Sequence, residues 1–233
     1  MFRDMFQGLC AGLPSQCRVC HAWPAQVVCE GCVNRFAQPQ PRCRTCALPV
    51  PAGVTRCGAC LTHHPPLDEC LAAVNYAYPW SDLVLNFKFQ GEPGLAAAFG
   101  MLLRSTPWVE PALEAADAVL PIPLSPQRLR KRGFNQALLL AQQLAPGKCP
   151  SNWLLRLRDT PAQSSLGRAE RLRSLDGAFA VEPLQAARLA GARVVLVDDV
   201  MTSGASLGSA ARALRQAGAA HITGLVVART PER

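Results

Sequence analysis

The stretch Val194-Val195-Leu196-Val197-Asp198-Asp199-Val200-Met201-Thr202-Ser203-Gly204-Ala205-Ser206 joins an aliphatic run, two adjacent acids and a small hydroxyl-rich loop. A continuous aliphatic run bounded by turn residues reads as a strand buried on both faces of a parallel sheet, and the loop leaving it feeds a helix that begins near Ala205. The first turn of that helix presents backbone N–H groups without intrahelical partners. Gly204 lets the chain wrap closely, and the hydroxyls of Thr202, Ser203 and Ser206 add donors, so the loop suits a phosphate. Two carboxylates beside it would repel that phosphate. Asp198 and Asp199 are therefore expected to face a neutral, hydroxyl-bearing part of the ligand or a metal bridging to it, and a ribose 5-phosphate meets both needs. The structural alternative is an ordinary strand, loop and helix whose acids cap the helix. No Gly-Lys-Ser/Thr follows the strand, which excludes a Walker A nucleotide loop.

Working outward, Ala118 to Ile122, Trp153 to Leu157 and Ile222 to Ala228 read as further strands. Trp80 to Phe89, Gly94 to Leu103, a run from Asn135 to Pro146-Gly147, and Pro183 to Ala190 read as helices. Ser125-Pro126 is an N-cap followed by proline at the first helical position, and Gly133 interrupts the basic helix it starts. Strands alternating with helices of this length imply an α/β fold, a parallel sheet with helices on both faces. In such sheets ligands bind beyond the carboxyl ends of the strands. Three loops converge there: Pro121-Ile122-Pro123-Leu124-Ser125 with the basic residues Arg128, Arg130, Lys131 and Arg132 after it, the polar stretch from Arg158 to Ser174, and the acid segment itself. A basic run on a helix is also what a solvated face looks like.

The amino-terminal part has a different character. Four knuckles, Cys17-Arg18-Val19-Cys20, Cys29-Glu30-Gly31-Cys32, Cys43-Arg44-Thr45-Cys46 and Cys57-Gly58-Ala59-Cys60, make two sets of four thiolates, the closed shell of structural zinc. A segment this rich in Pro and Gly buries little core, so metal binding must supply folding free energy, on the order of 10 kcal/mol per site. Sequential pairing of the knuckles gives two consecutive zinc ribbons, and an interleaved cross-brace satisfies the same ligand count. Redox-active pairs are disfavoured, because such dithiols sit at a helix start after a strand. Cys10, Cys70 and Cys149 read as small buried or incidental residues, and His21, His63 and His64 have no metal to bind. The composition changes after His64-Pro65-Pro66, which divides the chain into a double zinc-ribbon module, residues 1–66, and a larger domain, residues 67–233.

At 233 residues, 49% hydrophobic and only 6% aromatic, the chain can build a core mainly of Leu, Val and Ala, without a broad base-stacking surface. The net charge of +8 favours anionic partners, whether phosphorylated substrates or nucleic acid. Most of that charge is arginine, whose fork suits bidentate phosphate contacts. The opening residues are too interrupted by charge for a signal sequence and no apolar run approaches about 18 residues, so a cytoplasmic protein without membrane insertion is expected. In that reducing setting cysteines serve as metal ligands.

The acid-and-hydroxyl segment resembles the phosphoribosyl-pyrophosphate (PRPP) signature of type I phosphoribosyltransferases. That family's usual loop has two threonines before glycine and a terminal threonine. Here Thr202-Ser203-Gly204-Ala205-Ser206 keeps hydroxyls at the first, second and last positions. Pro121 to Ser125 leading to Arg132-Gly133-Phe134-Asn135-Gln136, and Arg156 to Arg171 with Thr160, Gln163 and Arg171 spaced between, narrow the resemblance to the ComF family of competence-associated proteins. With the cysteine-rich amino terminus, these segments cover nearly the whole chain.

The resemblance implies that Asp198 and Asp199 bind the ribose hydroxyls and organise Mg2+ indirectly, while Thr202, Ser203, Gly204, Ala205 and Ser206 hold the 5-phosphate. It makes Pro121, Ile122, Pro123, Leu124 and Ser125, with Arg132, the pyrophosphate loop. It makes Arg158 to Ser174 a lid in which Arg171, or Arg168, neutralises the departing pyrophosphate and Gln163 positions. The activity implied is phosphoribosyl transfer from PRPP to an unidentified acceptor, linked to DNA uptake and natural transformation. A second reading is a non-catalytic factor that binds single-stranded DNA or other competence proteins and keeps the PRPP fold as a regulatory or vestigial scaffold. Tyr78 and Trp80 are the candidate acceptor-stacking residues. ComF proteins carry a similar Lys-Phe pair ahead of a glycine, here Lys88-Phe89 and Gly91, and the residues themselves suggest packing of Phe87 and Phe89.

Overall fold

The computed structural model describes residues 15–150, 152–158 and 177–231. Contacts divide the chain into two compact units, Met1–Gln38 and Pro39–Arg233. The smaller holds the first two knuckles: Ser15 and Ala25 bridge, and Cys29 opens helix α1 (Glu30–Phe36). The larger repeats that pattern, with an Arg42–Pro49 bridge and Cys57 opening α2 (Gly58–Thr62), before the main fold begins.

That main fold runs β1 (Glu69–Asn75), α3 (Trp80–Phe89), α4 (Leu95–Arg104), α5 (Val109–Glu114), β2 (Ala118–Pro121), α6 (Pro126–Arg132), α7 (Gln136–Leu144), β3 (Leu154–Arg156), β4 (Phe179–Val181), β5 (Arg193–Met201), α8 (Ala205–Gln216) and β6 (His221–Arg229). Four strands form one parallel sheet in the order β1-β6-β5-β2, so all their carboxyl ends share one edge. Val194 to Val197 on β5 are all buried, which explains the absence of polar alternation in that run. Helix α8 lays Leu207, Ala210, Ala211 and Leu214 on one stripe, and these join Leu120, Val194, Leu196, Ile222 and Val226 of the sheet in one apolar cluster. On the other side α4 and α7 pack on each other, α4 against β6 and α7 against β5 and β2, with Phe87 fully buried against Phe99 and Phe134 at 5.5 and 5.8 Å.

Three expectations change. Trp153 to Leu157 does supply a strand, β3, but it pairs antiparallel with β4 in a separate two-stranded sheet rather than joining the parallel one. Pro183 to Ala190 winds as a 3-10 helix, Pro183–Leu189, and not as an α-helix. Composition divides the chain near residue 66, whereas contacts divide it after Gln38, because the second cysteine cluster is built into the larger unit. Cys43, Cys46, Ala47, Leu48 and Cys60 share the apolar cluster of Leu67, Cys70, Met201 and Leu207. Among the described residues, no helix is long and apolar enough to cross a membrane.

Candidate functional site

Strand β5 delivers Asp198 and Asp199 to the carboxyl edge of the sheet, where successive side chains point to opposite faces. Asp198 lines a small concavity together with Val200, Met201, Thr202, Gly204, Ala205, Ser206 and Leu207, so one acid and the hydroxyl loop share a single hollow at the start of α8. Gly204 makes the turn possible with φ 77°, and a Cβ there would stand 2.5 Å from the Met201 terminal methyl. Ser203 lies outside that lining, and its Oγ accepts from the Ala205 N–H at 3.4 Å. The two acids are therefore not equivalent: Asp199 faces α3, where Lys88 Nζ lies 2.8 Å from its Oδ1 and both side chains are largely buried, 18% and 8% exposed. Burial, and then the charge of Asp199, push the Asp198 carboxyl up to about 7, against the pull of Lys88, the Asp199 N–H and Arg132. The Asp199 N–H donates to Asp198 Oδ1 at 2.9 Å.

The loop Pro121 to Ser125 leaves β2 beside β5, its Ile122 N–H donating to the Val197 carbonyl. Ser125 is buried and caps α6, accepting from the Arg128 N–H at 3.4 Å. Helix α6 buries no residue, and Arg130 and Lys131 stand in solvent, the solvated-face outcome. Gly133, at φ 80°, ends the helix in the left-handed conformation that a non-glycine residue resists. Arg132, by contrast, stacks over Phe89 with its guanidinium carbon 5.1 Å from the ring centre, and its Nη1 donates to Gln136 Oε1 at 3.0 Å. Gln136 is buried and donates to the Phe87 carbonyl at 3.5 Å, while Asn135 caps α7 and donates to the Ile122 carbonyl at 3.1 Å. Arg132, Phe134 and Gln136 thus contact α3, and Asn135 ties α7 to the pyrophosphate-loop candidate.

Gln163, Arg168 and Arg171 lie outside the described residues; β3 and β4 flank the segment that carries them. Trp80 is 3% exposed and packs in the core, so it presents no face to an acceptor, whereas Tyr78 is 64% exposed. Phe89, read from sequence as packing, is 57% exposed beside Arg132, and only Phe87 belongs to the core. Lys88 and Arg229 are the residues sequence reading missed. Lys88 had one signal, its place in the Lys-Phe pair. Arg229 had none, since an arginine ending a strand ordinarily points to solvent, yet it is 3% exposed here.

The cysteines form two clusters, Cys17-Cys20-Cys29-Cys32 and Cys43-Cys46-Cys57-Cys60, each with its sulfurs within 4.8 Å of one another. Pairing is sequential, not interleaved. A tetrahedral zinc shell with Zn–S of about 2.3 Å requires sulfurs about 3.8 Å apart. The contacts Cys17–Cys32, Cys20–Cys29 and Cys46–Cys57 are 3.8, 3.6 and 3.6 Å, so the sulfurs fit that ion. The clusters repeat one device: the Cys29 N–H donates to Cys17 Sγ and the Cys57 N–H to Cys43 Sγ. Burial works to raise both acceptor thiols, but the N–H groups of Cys20, Cys29 and Val19 hold Cys17 down at about 6, and those of Cys57, Cys46 and Thr45 hold Cys43 at about 7. In each cluster the thiol that accepts this N–H is thereby the more readily ionised. Cys70 is a small core residue, 2% exposed.

Comparison with known proteins agrees with this geometry. Residues 131–233 match the family model described as phosphoribosyl transferase domain. The chain is 33% identical over 231 residues to the DNA utilization protein YhgH of Salmonella typhimurium, covering 94% of this chain and 97% of that protein. It is 31% identical over 209 residues to competence protein F of Haemophilus influenzae, covering 84% and 87%. Against competence protein ComFC of Bacillus subtilis the identity is 36% over 148 residues, covering 61% and 58%.

Proposed function

Because the chain belongs to the ComF family of competence-associated proteins, with a phosphoribosyltransferase-type domain, we propose that its larger unit binds PRPP and transfers the phosphoribosyl group to an unidentified acceptor, releasing pyrophosphate. The observation that carries this reading is the hollow shared by Asp198 with Thr202, Gly204, Ala205 and Ser206 at the start of α8, on the carboxyl edge of a parallel sheet. The amides and hydroxyls of 202–206 hold the 5-phosphate, and Asp198 accepts from ribose hydroxyls. Asp199, held by Lys88, fixes the position and charge of Asp198. Arg132 faces the pyrophosphate from the end of α6, with Arg171 and Gln163 assigned to the lid. Mg2+, which takes one or two carboxylates plus substrate phosphates, fits Asp198, which forms no ion pair among the described residues, and would neutralise pyrophosphate charge when bound. The protein needs no covalent nucleophile: it positions the anomeric carbon and excludes water from an oxocarbenium-like transition state.

Calorimetry of the zinc-loaded protein with PRPP and Mg2+ tests the binding. A one-to-one complex is expected, abolished in Asp198→Asn/Asp199→Asn, and a folded protein that gives no heat with PRPP would reject it. Pyrophosphate release on addition of candidate acceptors tests turnover separately.

A second reading, a DNA-handling role, is supported by the net charge of +8 and by the names of the relatives, one of them a DNA utilization protein. It expects single-stranded-DNA binding that weakens steeply with salt and survives loss of both acids. No affinity at low salt would remove it.

A further inference from the structure

Arg229 ends β6 with its side chain buried between the second cysteine cluster and the phosphate-loop candidate. Its Nε donates to the carbonyl of Cys46 at 2.8 Å. Its Nη1 donates to the carbonyls of Met201 and Thr202, at 3.0 and 2.6 Å, and to that of Thr230 at 2.6 Å. One guanidinium thus ties a metal-ligand residue to the two residues at which the chain leaves β5 to form the hollow. The packing is continuous with this bond network: Cys70 Sγ lies 3.5 Å from Met201 Sδ, and Cys43, Cys46, Met201 and Ala205 belong to one apolar cluster.

The charges call for the same arrangement. A second arginine, Arg42, donates to the Ala47 carbonyl within the cluster at 3.0 Å. No carboxylate among the described residues pairs with either guanidinium. Burying cations against carbonyl dipoles alone is costly. A divalent ion in four thiolates carries a net charge of −2, which balances the two arginines. The metal-loaded cluster therefore stabilises Arg229 in place, and Arg229 in turn holds the carbonyls of 201 and 202.

We propose that Arg229 is a positioning residue through which metal at Cys43, Cys46, Cys57 and Cys60, and not metal at the first cluster, holds the loop 201–206 in the form that accepts a phosphate ester. This rests on the reading of that loop as a phosphate site. Linkage then makes the effect reciprocal, so a ligand on the loop must tighten metal at the second cluster by the factor that the metal tightens the ligand.

The test uses the full zinc-loaded chain and the variants Arg229→Lys, Cys57→Ser and Cys20→Ser, with PRPP and Mg2+ as the probe. Arg229→Lys keeps the charge and loses the fork, so it is expected to retain two zinc ions and the sheet's amide protection. Exchange of the 202–206 amides should accelerate about tenfold and PRPP affinity fall about tenfold. Cys57→Ser should give the same loop signature, adding nothing when combined with Arg229→Lys, and Cys20→Ser should leave the loop unchanged. In the unsubstituted protein PRPP should slow chelator removal of one of the two zinc ions, and it should not do so in Arg229→Lys. A protein that binds PRPP with loop exchange, affinity and zinc release unaltered by Arg229→Lys would overturn the coupling and spare the binding proposal. A protein that binds no PRPP but whose loop exchange follows Arg229 and Cys57 would support the coupling and reject the ligand.

Discussion

The Lys88–Asp199 pair makes a sharp prediction, because removing the lysine strands a carboxylate 8% exposed beside a second acid already pushed up to about 7. Breaking a buried pair from one side costs about 3–5 kcal/mol unless the orphaned group takes up a proton. In Lys88→Met the methylene stem is largely kept, so packing changes by less than about 1.5 kcal/mol and most of the loss is electrostatic. The pH dependence follows from the direction of the shift. An acid whose folded pKa lies above its unfolded value of 3.8 binds more protons folded than unfolded between those values, so its contribution to stability falls as pH rises from about 4 to about 7. Without Lys88 the acid pair should hold its proton to higher pH, which deepens that fall and carries it past neutrality. Urea unfolding of the zinc-loaded protein at pH 6.0 and 8.5 is the assay. Lys88→Met is expected to be about 3 kcal/mol less stable than the unsubstituted chain at pH 8.5 and about 1 kcal/mol less at pH 6.0. Lys88→Met/Asp199→Asn should recover most of the loss at pH 8.5. An equal deficit at both pH values, or a double variant whose losses simply add, would show that the lysine acts by packing and refute the charge reasoning.

Other perturbations probe the neighbouring groups. If Asp198 must be ionised to accept ribose hydroxyls or a cation, a pKa of about 7 means that affinity for PRPP with Mg2+ rises about tenfold from pH 6 to 8 with proton release, read by calorimetry in two buffers. Asp198→Asn should remove that part of the slope, and an unchanged slope would assign it to the ligand's own phosphates. Gly204→Ala forces a side chain onto φ 77° and against the Met201 methyl, so it should lower the unfolding free energy by about 1–2 kcal/mol, and a variant as stable as the original would mean the loop adopts another path. Thr230 Oγ1 is buried without a hydrogen-bond partner among the described residues, so the near-isosteric Thr230→Val should be neutral or stabilising by about 1 kcal/mol in thermal unfolding; a marked loss would show that the hydroxyl is bonded.

What the sequence disclosed depended on whether a feature was local. The run Val194 to Val197, the cap at Ser125-Pro126, the break at Gly133 and the four cysteine knuckles carry their reasons within a few residues, and each appears in the structure where its spacing puts it. Strand β1 was missed because Glu-Cys-Leu-Ala-Ala-Val-Asn has little β-branched content, and it is held as a strand by pairing with β6. The short β3 was read as a strand but assigned to the wrong sheet, since three residues hold no information about their partner. Lys88 and Arg229 became visible only with the topology, which brings the end of α3 to Asp199 and the end of β6 to Cys46 across long stretches of chain.

The same topology resolves a difficulty that adjacent acids pose for an anion site. Two ionised carboxylates at the mouth of a phosphate cradle would set a local charge of −2 against a ligand bearing several negative charges. Asp199 lies outside the lining of the hollow and is paired with Lys88 at 2.8 Å, which offsets part of its charge. Asp198 is raised to about 7 by burial and by the charge of Asp199, with Lys88 and Arg132 pulling the other way. The pair is thus less negative than two free carboxylates would be. On the proposed reading, a phosphate ester meets less repulsion there, and a cation or a set of hydroxyls arriving with it is expected to displace a proton from Asp198. The sensitivity to pH and to Lys88 expected of the pair follows from sending two neighbouring residues of one strand to opposite faces of the sheet.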